Sequence, residues 1–163
     1  MALCKSFPPI INTESRVLIL GSMPGGVSLQ KQQYYAHPNN KFWTIIFSVL
    51  EITMPNSYEE RVECIRKRGI AVWDVIASCN REGSLDSAIK DEVANELSAL
   101  FECYPEIRLV AFNGIKARQV YKKYVDLRPD KQVEYITLPS TSPALTKSLE
   151  DKIKAWRVIA KYL

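Results

Sequence analysis

The sequence predicts an α/β fold, a three-layer α/β/α sandwich around a four-stranded parallel sheet. Three observations predict it. Four short apolar runs of strand length are spread along the chain, as expected of strands buried on both faces. Stretches with helical spacing separate them, and strands alternating with helices argue for parallel pairing with helices on both faces. The length of 163 residues suits one domain, residues 1–163, that buries a sizeable core without a disulfide or metal staple.

The elements follow in order. Residues 1–15 carry two adjacent prolines and no period, which predicts an irregular N-terminal arm. Arg16-Val-Leu-Ile-Leu20 is the first strand, ended by Gly21. Ser22 to Asn39 is broken early by Gly and Pro and late by Pro38, so it is expected to be mostly loop. Phe42, Trp43, Ile45, Ile46, Val49 and Leu50 have helical spacing, with Asn39 or Asn40 placed to cap them. Ser57 to Arg68 reads as a charged amphipathic helix and Gly69 to Ile76 as the second strand. Ser78 to Ser87 is a polar loop, and Asp91 to Phe101 is predicted helical, with Val93, Leu97, Leu100 and Phe101 on one face. Ile107 to Phe112 is the third strand, Ile115 to Tyr124 a helix, and Gln132 to Leu138 the fourth strand. A loop rich in Ser, Thr and Pro follows from Pro139 to Thr146, and Thr146 to Leu163 closes the chain as a helix.

Composition narrows the function classes. Hydrophobic residues make up 47% and charged residues 25%, which excludes a fibrous, wholly disordered or coiled-coil chain. No apolar run reaches the ~18 residues that suggest a membrane span. The N-terminus lacks the basic and apolar regions of a secretory signal. Cys4, Cys64, Cys79 and Cys103 form no CxxC pair, so the expectation is reduced thiols in a cytoplasmic protein and no metal site. A net charge of +4 with a pI near 8.8 permits an anionic partner such as nucleic acid.

Sites in open α/β sheets lie beyond the C-terminal strand ends. The loops after Leu20, Trp73, Phe112 and Leu138 are therefore the candidates. The first, Gly21-Ser-Met-Pro-Gly-Gly-Val-Ser28, can offer backbone N–H groups to a ligand, yet it is neither GxGxxG nor a P-loop. After it comes Tyr34-Tyr-Ala-His-Pro-Asn-Asn-Lys-Phe-Trp43, with two aromatics before the one histidine and two amides after it.

Together these segments resemble the uracil-DNA glycosylase superfamily. Its mismatch-specific branch has a Gly-x-Asn-Pro-Gly loop followed by His-Pro-x-Asn-x-Phe-Trp. This chain has Gly21-Ser-Met-Pro-Gly25 and then His37-Pro-Asn-Asn-Lys-Phe-Trp43. The nearest likeness is to the hypoxanthine (deoxyinosine) DNA glycosylase family, whose first loop also lacks an acidic or amide residue. That family's last motif resembles Pro139-Ser-Thr-Ser-Pro-Ala144. The resemblance runs from about Val17 to Ala144, with Gly69 to Asp74 and Phe112 to Ala117 at the second and third strand-end motifs.

The resemblance implies a uracil-DNA glycosylase-like fold and a DNA glycosylase of base excision repair without a cofactor. Such an enzyme extrudes a nucleotide, holds its base and helps water attack the sugar. Superfamily members position that water with the residue before the first-loop proline. Here that residue is Met23, a weak acceptor, so the role passes to Asn40, with Asn39 as the adjacent rival. Tyr35 is implied to stack on the base, with Ser22, Met23 and Asn113 lining its pocket. Asp74 meets the base's Watson–Crick edge: a carboxylate accepts the N1–H of hypoxanthine and repels N1 of adenine. His37 reads as a hydrogen-bonded structural residue.

Gly25, Ser28, Lys41, Ser140, Thr141 and Ser142 are the expected DNA contacts, joined by the basic side chains Arg81, Lys116, Arg118 and Lys147. Leu145 stands where the family often has Asn and is the expected wedge. The remaining lysines, including those of Asp151-Lys-Ile-Lys154, read as a solvated helix face. No lysine sits in a Schiff-base motif, so strand cleavage is not expected.

The expected partner is DNA containing deaminated bases, with the chain acting as a monomer in the cytoplasm, near the nucleoid if the source is a prokaryote. Each assignment has a bland alternative. Asn40 can simply cap a helix, Tyr35 pack in the core, Asp74 and Asn113 shape turns, and the Ser/Thr loop start a helix. Three other functions stay open: a uracil or thymine mismatch glycosylase, a catalytically inactive lesion-binding module, and a soluble nucleotide-binding protein.

Overall fold

The structure, a computed structural model, describes residues 2–125 and 132–163. Its first half runs β1 (Leu3–Lys5), β2 (Val17–Gly21), α1 (Gly26–Lys31), α2 (Phe42–Leu50), α3 (Tyr58–Lys67), β3 (Ile70–Asp74) and β4 (Ile76–Asn80). The second half runs β5 (Lys90–Ala94), α4 (Leu97–Cys103), β6 (Leu109–Asn113), α5 (Ile115–Tyr124), β7 (Glu134–Leu138) and α6 (Leu149–Trp156), closed by a 3-10 turn over Arg157–Tyr162.

β3, β2, β6 and β7 form the expected four-stranded sheet, in that order and parallel throughout. Alternation along each strand builds two cores. Val17, Ile19, Ile70 and Val72 pack with α2, α3 and α6, and Leu18, Leu20, Ala71 and Phe112 pack with α4 and α5. Helix starts are locally encoded. Ser57 and Ser148 accept hydrogen bonds from the backbone of Glu60 and Asp151, each followed by acidic residues in the first turn.

The departures cluster in a second, antiparallel sheet of order β1-β4-β5. Within the segment read as an irregular arm, Leu3–Lys5 pairs with β4, and Ile10 bridges Val72. The loop expected over Ser78 to Ser87 begins later, because strand β4 runs through Asn80. The helix expected over Asp91 to Phe101 splits into β5 and α4, because Lys90–Ala94 pairs with β4 and Glu96 starts a new helix at Leu97. The segment from Ser22 to Asn39 contains the six-residue α1, and the closing helix tightens into 3-10 geometry after Trp156. The four cysteines are free thiols. Among the described residues, no helix is long and apolar enough to cross a membrane.

Candidate active site

The C-terminal ends of β2, β3 and β6 bring three of the expected loops together. Gly21 ends β2 and Asp74 ends β3, opposite each other in parallel register. A Cβ added to Gly21 would lie 2.5 Å from Asp74 Oδ1 and 3.1 Å from the Tyr35 hydroxyl. Only glycine leaves room for the two side chains to meet over this strand end. Tyr35 has φ +54°, a left-handed conformation uncommon outside glycine, and functional sites collect such strain. Its ring stacks on Phe42, with centroids 3.9 Å apart and planes 17° apart.

Two polar atoms are sealed here without a hydrogen-bond partner: the Tyr35 hydroxyl and Asp74 Oδ2. Burial pushes the Asp74 carboxyl up to about 7, the negative charge of Asp86 adds to the rise, and Arg81 opposes it. Near neutral pH both its protonation states are therefore populated. Burial, then Asp74, pushes the Tyr35 phenol well above its ordinary range, so Tyr35 carries its proton. Asn95 Nδ2 donates to the Asp74 carbonyl at 2.7 Å and fixes the end of β3.

The two asparagines differ. The N-cap of α2 is Lys41 rather than either asparagine; Asn40, one residue before it, accepts from Phe42 N at 3.0 Å through its Oδ1, and its backbone N–H donates to the His37 carbonyl. An amide oxygen has a second lone pair, so this bond does not exhaust it. Asn39 is exposed, and its backbone N–H donates to His37 Nδ1 at 3.1 Å. His37 is thus a hydrogen-bonded turn residue. A cavity of about 390 Å³ borders this loop, lined in part by Tyr35, His37, Asn40 and Trp43.

The last loop is tied to the same center. Asn113 Nδ2 donates to Thr141 Oγ1 at 3.0 Å, and the Thr141 N–H donates to Asn113 Oδ1 at 2.9 Å. The Lys41 N–H donates to the Thr141 carbonyl. Gly114, at φ +92°, passes so close to Ser140 that a Cβ would stand 3.2 Å from the serine Cβ. Ser140 and Ser142 hydroxyls accept from the backbone of Ser142 and Ala144, leaving their own protons to donate. Leu145 is 39% exposed at the loop's far end.

Several expected contacts prove to be internal supports. Thr141 is buried and its Oγ1 accepts from Asn113, which ties the last loop to the end of β6. Ser28 is buried and accepts from Ala36 N, which ties α1 to the tyrosine loop. Met23 belongs to the core cluster of the α4–α5 face, leaving only its backbone for a ligand. Ser22 is buried and donates to Asp86 Oδ1 at 2.6 Å. Arg81, 1% exposed, donates to the Pro24 carbonyl and supports the first loop from within. Arg118 donates to Thr137, while Lys41 and Lys147 stay exposed and Lys116 half-buried. Gly25 caps α1 near Ser84, whose hydroxyl accepts from Gly26 N at 2.7 Å.

Sequence reasoning missed the supports from outside the four loops. Ser84 and Asp86 hold the first loop from the β4–β5 hairpin. Lys152, read as solvated, is 4% exposed, and its ammonium donates to the Ser142 and Leu145 carbonyls, both at 3.0 Å. Trp156 Nε1 donates to the Pro139 carbonyl at 2.9 Å. The signal was available for Lys152: it precedes the buried Trp156 by four residues and shares its helix face.

The family model of the uracil DNA glycosylase superfamily matches residues 8–160. A hypoxanthine DNA glycosylase of Methanosarcina barkeri is 38% identical over 153 residues, covering 93% of this chain and 94% of that protein. A hypoxanthine DNA glycosylase of Methanosarcina acetivorans is 35% identical over 159 residues, covering 97% and 98%. The solution structure of a Methanosarcina acetivorans protein described as a candidate uracil DNA glycosylase superposes with a TM-score of 0.84 at 34% identity, covering 97% of this chain and 96% of that one. With its parallel sheet, its strand-end loops and this likeness over nearly its whole length, the chain belongs to the uracil DNA glycosylase superfamily.

Proposed function

We propose that this chain is a monofunctional DNA glycosylase that removes hypoxanthine from DNA by hydrolysis, acting as a monomer in the cytoplasm on strands that carry deaminated bases. The observation that carries the choice of base is Asp74: a sealed carboxyl at the end of β3 with one oxygen unpartnered. A base with an N–H on its edge satisfies that oxygen. Adenine sets a lone pair against the ionised carboxylate, and a buried mismatch of this kind costs about 1–3 kcal/mol or more. The two named hypoxanthine DNA glycosylases support the same reading.

In this reading Leu145 enters the stack as the nucleotide leaves it. Lys41, Lys147 and the Ser140 and Ser142 hydroxyls hold the flanking phosphates. Asn40 holds the attacking water with the free lone pair of its amide oxygen. With Met23 turned into the core, no strong base assists the water. The reaction therefore relies on early departure of the base and on accurate placement of the nucleophile. The Asn113–Thr141 pair keeps the water side and the phosphate side in register.

The test is incubation of the purified protein with inosine-, uracil- and xanthine-containing oligonucleotides, followed by alkaline cleavage at abasic sites. Strand breaks at inosine that appear only after alkali are the expected result. Faster release of uracil would move the chain to a uracil-type specificity. Lesion binding without base release would make it a binding module.

A further inference from the structure

We propose that the Tyr35 hydroxyl is a specificity determinant that donates a hydrogen bond to the carbonyl oxygen beside the N–H read by Asp74, so that the two side chains together read the lactam edge created by deamination. This rests on the proposed hypoxanthine reading and extends it to a second residue. The sequence assigns Tyr35 only a stacking role; its hydroxyl is the new element.

Three observations carry the inference. First, the Tyr35 hydroxyl and Asp74 Oδ2 are buried without partners, although buried polar groups are almost always paired. An unpartnered donor beside an unpartnered acceptor is a complement waiting for a ligand that offers both. Second, the two groups arise from different loops but meet over Gly21, whose hydrogen alone makes the approach possible. Third, the phenol is held in place: its ring stacks on Phe42, with centroids 3.9 Å apart.

The chemistry follows from the donor and acceptor inventory. A lactam edge offers N–H and C=O side by side. A single Asn could meet both with its own amide. An Asp in its ionised form can only accept, so it meets the N–H and leaves the carbonyl unserved. The missing donor must come from elsewhere in the site, and the protonated Tyr35 is the buried, unpartnered donor at that place. Adenine and cytosine carry the reverse edge, a ring nitrogen acceptor beside an amino donor. Tyr35 can rotate its proton to accept from an amino group, whereas Asp74 in its ionised form cannot serve the ring nitrogen. Ionised Asp74 therefore rejects adenine and cytosine, and Tyr35 strengthens the hold on the deaminated base.

The experiment is single-turnover release of hypoxanthine from an inosine-containing duplex by the wild type, Tyr35→Phe, Asp74→Asn and the double variant, with thermal melting of each. Tyr35→Phe keeps the ring and should lose about 10- to 100-fold in rate, the loss expected when a buried polar partner goes unmet. It should melt no lower than the wild type, because the removed hydroxyl bonds to nothing in the free protein. Asn at position 74 supplies its own donor, so the double variant should recover part of the Tyr35→Phe loss. An unchanged rate in Tyr35→Phe, or a double variant whose losses simply multiply, would overturn the lactam-edge assignment. A lower melting temperature for Tyr35→Phe would also count against it by giving the hydroxyl a structural partner. A wild type that releases no hypoxanthine would instead overturn the reading beneath it, and the two failures are distinguishable.

Discussion

The floor of the site and its rim are built on opposite principles. At the floor, Tyr35 and Asp74 each leave a buried polar atom unpaired. At the rim, Pro139 to Leu145 is tied at almost every step, by Asn113, Trp156, Lys152 and its own serine hydroxyls. An unpaired buried group costs the free protein stability and regains it when a matching ligand arrives. A loop tied in this way presents its remaining donors, the Ser140 and Ser142 hydroxyl protons, in fixed positions. Discrimination among bases therefore belongs to the floor, and geometry on the DNA strand to the rim. Asn40 stands between the two, one lone pair committed to the α2 backbone and the other open.

That division can be broken first at Asn40. Asn40→Ala should lower single-turnover base release by about 100-fold or more, the range of a positioned proton-accepting group, with lesion binding nearly intact. Near-normal rates would move the water to Asn39 or His37 and merge the catalytic role with the turn.

Lys152→Met tests the rim as a rigid platform. It keeps the aliphatic stem and strips the Ser142 and Leu145 carbonyls of their donor. The expected loss is about 2 kcal/mol in denaturant unfolding, with weaker duplex binding and an unchanged preference among bases. A change in base preference would show that rim and floor are coupled.

The floor's cost appears in the pH dependence of stability. Asp74 binds its proton more tightly folded, near 7, than at its ordinary 3.8. The folded state therefore holds more protons between those values, and wild-type stability should fall as pH rises through that window. Asp74→Asn should remove this slope. At pH 8 the variant should be the more stable protein by at least about 1 kcal/mol, since a tenfold difference in proton affinity between the folded and unfolded chain is worth about 1.4 kcal/mol. Parallel stability curves from pH 4 to 8 would mean the carboxyl is not held in this environment.

The smallest effect belongs to Leu145, which plays no part in reading the base. Leu145→Ala should lose a few-fold on well-paired inosine and less on single-stranded inosine, where unstacking costs less. Equal losses on both substrates would remove the wedge role while leaving the rim's rigidity in place.

The sequence by itself determined the central sheet, the order of its loops and the residues that reach the floor. Val17–Gly21, Ile70–Asp74 and Leu109–Asn113 are almost entirely buried, so their apolar runs announce them without help from neighbours. Gly21, Asp74 and Asn113 were legible for the same reason, since each stands at the end of such a run. Tyr35 and the His37–Trp43 segment were legible from their unusual grouping of aromatics and amides around one histidine. The tertiary structure alone decided the second sheet and the supports. Lys90–Ala94 is charged and largely exposed, and only pairing with β4 makes it a strand. Arg81 and Ser84 were misread or missed because their partners are main-chain groups of Pro24 and Gly26. Every residue carries the same backbone N–H and C=O apart from proline's missing donor, so a long-range bond to the main chain leaves no mark in the sequence of its partner. Burial of a long polar side chain is therefore settled only when the distant segment arrives beside it.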